Sequence, residues 1–282
     1  MMTISGSVNK ILKQSFVDGP GNRAVVFLQG CNFRCLSCHN PYTQTLCSQC
    51  GICISACSYG ALSIRDNRVI WDDTLCHECD ACIHACPQNS SPHIRDLTSQ
   101  QIWEVIAPIE PFLSGVTASG GEPTQQIDFL LDFFSLIKQK SRLTTLIETN
   151  GCVEINLLET LLPVLDFALI DLKTWDPARH KELTHADYDQ VLTTIRFLAQ
   201  HSKIYAVRNL VVPGYSDNED TSASIARFIA GIDPSIPLHF LRFRSHGTRG
   251  IAQGWETPSD DVMDRQVEIA RAEGLLHVKR SF

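Results

Sequence analysis

No stretch of the sequence approaches the roughly 18 consecutive apolar residues that a membrane-spanning helix needs. The most apolar run, LLETLLPVLDFALIDL, is interrupted by Glu, Asp and Pro. The N-terminal MMTISGSVNKILKQS lacks the apolar core of a secretory leader, so a cytoplasmic protein with no membrane partner is expected. Positive charge is also scarce: 24 Lys and Arg stand against 31 Asp and Glu, for a formal net charge of -7. That balance argues against a large phosphate-binding face, and no nucleic-acid partner is expected. With Gly 16 and Pro 13 among 282 residues, neither a collagen-like nor a low-complexity chain is possible, and 44% apolar residues suffice for a folded core. Beyond residue 86, cysteine is almost absent, with only Cys152 remaining.

Cysteine is concentrated instead at the other end. Of 12 cysteines, 11 fall between Cys31 and Cys86. In a chain that is not exported, so many thiols are metal ligands rather than disulfides. Eight of them belong to an internal duplication at an offset of 29, LCSQCGICISAC (46–57) over LCHECDACIHAC (75–86). Each copy reads C-x-x-C-x-x-C-x-x-x-C. In two-cluster ferredoxins with such runs the fourth cysteine ligates the other cluster. The expected sets are therefore Cys47, Cys50, Cys53 and Cys86 for one 4Fe-4S cluster, and Cys76, Cys79, Cys82 and Cys57 for the other. Pro87 follows Cys86 as the pattern expects, whereas Ser58 stands at the matching place in the first copy. Between the copies, ALSIRDNRVIWD alternates around Asp66-Asn67 as a small hairpin does.

The remaining three cysteines, Cys31, Cys35 and Cys38 in QGCNFRCLSCHNP, directly follow a strand-like run. Three thiolates at this spacing can hold three irons of a cubane and leave the fourth open for chemistry. The competing reading is a zinc site completed by His39. Outside residues 43–93, strand-like runs at 24–28, 115–119, 143–149, 167–173, 204–212 and 238–243 alternate with helical stretches at about 125–140, 154–163, 187–201, 218–231 and 258–274. A further helix begins after Thr98, where Gln101 completes a capping box, and a last apolar run, LLHVK, closes the series. Such alternation predicts right-handed βαβ crossovers and a parallel sheet with polar strand ends at its mouth. Six units are too few for a closed eight-strand barrel. FLLDFFSLI (129–137) reads as helix core, Cys152 as a structural thiol, and His77 and His84 as surface groups.

The C-x-x-x-C-x-x-C triplet resembles the radical S-adenosylmethionine (SAM) enzymes. VDGPGNRAVVFLQGC (17–31), CHNP (38–41), SGGEPT (119–124), ETNG (148–151), DLK (171–173) and VRNLVVPGYSDN (207–218) follow in the order of the glycyl radical enzyme activating enzymes. The cysteine-rich insertion and LHFLRFRSHG make the chain similar to the YjjW-like activases. The resemblance implies a partial (β/α)6 TIM-like barrel from residues 1–42 and 94–282, with a two-cluster ferredoxin-like insertion at 43–93. It implies an air-sensitive oxidoreductase in which Cys31, Cys35 and Cys38 hold a 4Fe-4S cluster that binds SAM. Reductive cleavage of SAM then yields a 5'-deoxyadenosyl radical, which takes hydrogen from a backbone glycine of a partner glycyl radical enzyme. A low-potential donor such as flavodoxin or ferredoxin would feed electrons through the two accessory clusters.

By the same resemblance, Gly120, Gly121 and Glu122 bind the SAM amino group, and Lys173 and Arg208 its carboxylate or ribose. Glu148, Thr149 and Asp171 would hold a monovalent cation, and Asp18 would meet the partner's glycine loop. Ser37 stands where many relatives carry an aromatic against adenine, which shifts the adenine contact toward His39 or Leu210. Glu148 replaces a common Asp, and Arg244 a common His. The alternatives are a radical SAM enzyme acting on a small molecule or RNA base, and an iron-sulfur electron carrier.

Overall fold

A computed structural model describes residues 4–281. The strands are β1 (Ser5–Leu12), β2 (Arg23–Leu28), β3 (Leu62–Arg65), β4 (Arg68–Trp71), β5 (Arg95–Thr98), β6 (Gly115–Gly120), β7 (Thr144–Thr149), β8 (Phe167–Asp171), β9 (Ile204–Val211), β10 (Leu238–Arg242) and β11 (Val278–Arg280). Nine of them form one open sheet in the order β11-β10-β9-β8-β7-β6-β2-β1-β5. From β2 to β11 every neighbouring pair is parallel, and the six expected parallel strands all occur. The terminal apolar run adds β11 as a seventh. β1 and β5 extend the sheet antiparallel beyond β2.

The helices are α1 (Ala81–His84), α2 (Ser99–Ile106), α3 (Ile127–Lys140), α4 (Ile155–Leu161), α5 (Pro177–Thr184), α6 (Asp189–Gln200), α7 (Glu219–Ala230) and α8 (Asp260–Ala272). Thr98 caps α2 with the reciprocal bonds of a capping box. Successive strand residues point to opposite faces, and the two faces have different tasks here. Ala24, Val26, Val116, Ala118, Ile147, Ile170 and Val207 join Leu130, Phe133, Phe134 and Ile137 of α3 in the main core under the helices. On the other face Leu146, Leu169 and Ala206 form a second buried cluster with Phe167 and Tyr205. Two residues further along the same face of β7, β8 and β9 stand Glu148, Asp171 and Arg208.

Arg23, fully buried, donates from Nε to Thr117 Oγ1 (2.7 Å), and from its other nitrogens to Thr144 Oγ1 (2.8 Å) and the carbonyls of Val116 (2.6 Å) and Pro20 (3.3 Å). These bonds replace the water that a buried guanidinium loses. They also knit the β1–β2 connection onto the N-terminal ends of β2, β6 and β7.

The cysteine-rich segment lies in the crossover between β2 and β5 and has a small core of its own, Cys53, Leu62, Cys82 and Ile83, against which Tyr42 and Trp71 pack. β3 and β4 form the expected hairpin, with Asp66 and Asn67 both at positive φ as a tight two-residue turn requires. Among the described residues, no helix is long and apolar enough to cross a membrane.

Candidate active site

After β2 the chain turns through Gln29 and Gly30 into the cysteine triplet. Gly30 N–H donates to Thr43 O (2.8 Å) and Cys31 N–H to Gln44 O (3.0 Å), which folds the loop back on itself. Arg34 and Leu36 donate from their backbone to the carbonyls of Thr184 and Leu183 at the end of α5. Cys31, Cys35 and Cys38 thereby line one cavity of about 310 Å³ at the C-terminal ends of the parallel strands. Ser37, His39, Gly120, Gly121, Glu148, Thr149, Asp171, Lys173, Arg208 and Leu210 share its wall. A wall drawn from the β2 loop round to β10 requires the open sheet to curl.

Among the described residues, no fourth cysteine lines this cavity. Burial pushes the Cys31 and Cys35 thiols up to about 12, and the Cys38 thiol also rises, chiefly through burial. Thiols so placed become thiolates only beside strong positive charge, which a cluster's irons supply. Lys173 draws all three downward. Cys31 Sγ also accepts from Phe33 N–H (3.3 Å) and Asn150 Nδ2 (3.8 Å). Three sulfurs with donors around them and an open side fit a cubane held at three irons. His39 Nε2 pairs with the Arg244 carbonyl (2.8 Å), which fixes the ring at the cavity wall.

Beside the sulfurs lies a neutral quartet of charges. Arg208 reaches Glu148 Oε1 and Asp171 Oδ1, both at 2.6 Å, while Lys173 reaches Asp171 Oδ2 at 2.8 Å. Ser119 Oγ donates to the remaining Glu148 oxygen (2.7 Å). Burial would raise the Asp171 carboxyl, but Arg208 and Lys173 outweigh it and hold it at about 2. Burial likewise opposes the charge on Lys173, yet Asp171 raises it to about 12. Burial lifts Glu148 further than Arg208 pulls it down, with the charge of Asp18 adding to the rise. Each oxygen of both carboxylates thus has a partner, and Thr149 turns to Glu122 (2.8 Å) rather than to them.

Gly120 and Gly121 fill the expected place, for a steric reason visible in the backbone. A Cβ on Gly120, at φ +115, would sit 2.4 Å from Leu28 N and O, and one on Gly121 would sit 2.1 Å from Gly30 O. Only glycine lets the end of β6 cross this tightly under the loop that carries Cys31. Glu122 is turned away from the cavity. Its side chain is 1% exposed and stands outside the cavity wall. One oxygen accepts from Thr124 N–H (3.1 Å), Thr124 Oγ1 (2.7 Å) and Thr149 Oγ1 (2.8 Å), and the other from Asn150 N–H (2.7 Å). It braces β6 against β7 and fixes Asn150, the residue beside Cys31 that sequence reasoning passed over.

Asp18 lies apart from the cysteine cavity. Its carboxylate accepts from Ser15 Oγ, and its carbonyl accepts from Thr117 Oγ1 (2.7 Å), the hydroxyl that Arg23 holds. Ser37 is buried at the cavity wall, where His39 and Leu210 also stand. Cys152 is half-buried and donates from its N–H to Asn150 Oδ1 (2.8 Å).

The eight other cysteines line two small cavities in the expected crossed sets. Cys47, Cys50, Cys53 and Cys86 surround one, and Cys57, Cys76, Cys79 and Cys82 the other. Arg249, from the loop after β10, ties this segment to the sheet through Asn89 and through the Ile83 carbonyl (3.0 Å).

Comparison with known proteins agrees with this geometry. The isethionate sulfite-lyase activating enzyme of Desulfovibrio desulfuricans is 29% identical over 94% of this chain and 97% of its own. The pyruvate formate-lyase-activating enzyme of Listeria monocytogenes is 26% identical over 93% and 95%. Among solved structures, QueE from Escherichia coli shares the fold with a TM-score of 0.56 at 13% identity, over 98% of this chain and 94% of that one. The model of the Radical SAM superfamily matches residues 25–225, from within β2 into α7. Since that match covers more than half of the sequence, the chain belongs to the radical SAM superfamily.

Proposed function

We propose that the chain is an activase that cleaves SAM reductively and leaves a radical on a backbone glycine of a partner glycyl radical enzyme. The observation that carries the reading is the convergence of Cys31, Cys35 and Cys38 with Lys173 and Arg208 on one strand-end cavity. The relatives named as activating enzymes align along nearly the whole chain, which favours a protein substrate over a small molecule. When a 4Fe-4S cluster and SAM are bound, one electron splits SAM into methionine and a 5'-deoxyadenosyl radical, which becomes 5'-deoxyadenosine on taking the glycine hydrogen.

The chain's own residues provide the setting. The three cysteines grip the cluster, and Lys173 offsets the charge of their sulfurs. Arg208, held from both sides by Glu148 and Asp171, presents a fixed guanidinium to an anionic or hydroxyl group of the ligand. His39 and Leu210 offer flat and apolar wall to the base, and Gly120 and Gly121 let backbone approach closely. Asp18, on the turn that Arg23 and Thr117 secure, would receive the partner's glycine loop. Segment 43–93 would be a YjjW-like ferredoxin-type insertion with two further 4Fe-4S clusters, a reading favoured by the crossed cysteine sets around its two cavities. Those clusters would relay electrons from a donor such as flavodoxin or ferredoxin.

The test is anaerobic incubation with SAM, a reductant and candidate glycyl radical enzymes, read by electron paramagnetic resonance and by 5'-deoxyadenosine formation. An oxygen-sensitive glycyl signal with one partner is expected. Cleavage with no glycyl signal from any partner would favour a small-molecule substrate, and no cleavage at all would favour an electron carrier.

A further inference from the structure

The two cavities of the cysteine-rich segment are near copies. In each, the second cysteine of the run (Cys50, Cys79) is exposed and the third (Cys53, Cys82) is buried. In each, a backbone N–H points at a sulfur from 3.4 Å, Ser90 at Cys86 in the first and Glu78 at Cys76 in the second. Further backbone N–H groups face Cys50 from Ile52 and Cys82 from Ile83, and the Ser48 side chain adds a hydrogen bond at exposed Cys50. An imidazole breaks the likeness. His93 Nε2 lies 3.3 Å from Cys82 Sγ, with the ring stacked on Trp71 at 4.5 Å between centroids and 29° between planes. Arg95 covers the same indole at 5.5 Å, so the ring that holds His93 is itself held. Among the described residues, the wall of the other cavity contains no imidazole; its side groups come from Ser48, Ile52, Pro87 and Ser90 to Pro92. His77 also borders the second cavity, but it stacks on Tyr59.

From this difference, and resting on the two-cluster reading above, we propose that His93 sets the potential of the Cys57/Cys76/Cys79/Cys82 cluster by donating a hydrogen bond to the Cys82 thiolate. An iron-bound thiolate can only accept, so the imidazole must donate. Reduction adds negative charge to the cluster, and a donor at its sulfur stabilises the added charge; hydrogen bonds to sulfur are among the established controls of such potentials. Asp80 on the same wall acts in the opposite direction, but it is exposed and screened by water. The twin sites are thereby made unequal, and His93 is a positioning residue for the electron.

A redox titration of the full-length, anaerobically reconstituted protein followed by electron paramagnetic resonance tests this. The signal of the Cys31/Cys35/Cys38 cluster is identified by its change on adding SAM. His93→Phe should lower the potential of one accessory cluster by about 59 mV, a roughly tenfold change in its reduction equilibrium, and leave the other in place. His93→Gln, which keeps a donor, should restore part of the shift. Unchanged potentials in a His93→Phe protein carrying its full iron would overturn the proposal. Iron for a single cluster in the wild type would instead overturn the two-cluster reading, and the proposal with it. Should His93→Phe fail to retain iron, His93→Leu, which also lacks a donor, takes its place: a lowered potential at one accessory cluster, larger than in His93→Gln, decides in favour, and unchanged potentials with all clusters present decide against.

Discussion

Replacing Glu122 with Gln separates a brace from a ligand contact. The native carboxylate meets four donors and no acceptor, one oxygen taking three hydrogen bonds and the other taking that of Asn150 N–H. The best arrangement for glutamine keeps its carbonyl toward Thr124 and Thr149 and turns its NH2 on Asn150 N–H, a donor against a donor at 2.7 Å. An unsatisfied buried N–H costs about 1–3 kcal/mol. Burial raises the Glu122 carboxyl despite its hydrogen bonds, so the desolvation that neutral glutamine escapes offsets the lost charge assistance and the total should stay at about 1–3 kcal/mol. For a chain of this size that is a fall of roughly 2–10 °C in unfolding temperature. Thermal unfolding of the cluster-free protein, with no SAM present, should show the full loss. SAM affinity should then weaken through the displaced Asn150 beside Cys31. A Glu122→Gln protein that unfolds like the wild type and loses only SAM binding would refute the brace and restore the direct contact.

Other perturbations follow from the same geometry. Gly121→Ala would drive a Cβ to within 2.1 Å of Gly30 O, so the Cys31 loop must move; iron analysis should show loss of that cluster with the insertion's iron retained. The Asp171 carboxyl, held at about 2, contributes stability that is complete above its unfolded value near 3.8 and vanishes as pH falls through about 2. The stability gap between wild type and Asp171→Asn, on the order of 2 kcal/mol, should therefore close between about pH 4 and pH 2 in acid unfolding. Lys173, raised to about 12, contributes fully below its ordinary 10.5 and fails only as pH rises through about 12, so no loss from Lys173 is expected at neutral pH. Arg249→Ala removes the tie to Asn89 and Ile83, and limited proteolysis within residues 43–93 should accelerate.

The parallel strands were legible because their apolar runs are bounded by glycines and polar ends, and α2 because Thr98 and Gln101 spell out a capping box. The grouping of the cysteines around three cavities was legible because their spacing and duplication are written locally in the sequence. What escaped notice depends on distant partners. β1 and β5 are short, mixed strands that gain order only by pairing antiparallel beyond β2. α5 is largely polar, with few buried residues besides His180 and Leu183, and so lacks an apolar stripe. The hydrogen bonds from Thr149 and Asn150 to the two oxygens of Glu122 also depend on the fold, since these partners lie on another strand end. The roles of Asn150, Arg23 and Arg249 likewise follow from neighbours 94 to 166 positions away.

The central claim is a cluster held by Cys31, Cys35 and Cys38 alone, with one iron free to take SAM. Mössbauer spectra of the anaerobically reconstituted protein, with and without SAM, test it most directly. One iron of one cubane should change its spectrum on SAM addition, and the change should vanish in a Cys35→Ala protein that keeps its other clusters. Spectra indifferent to SAM, with every iron fully thiolate-ligated, would contradict the account.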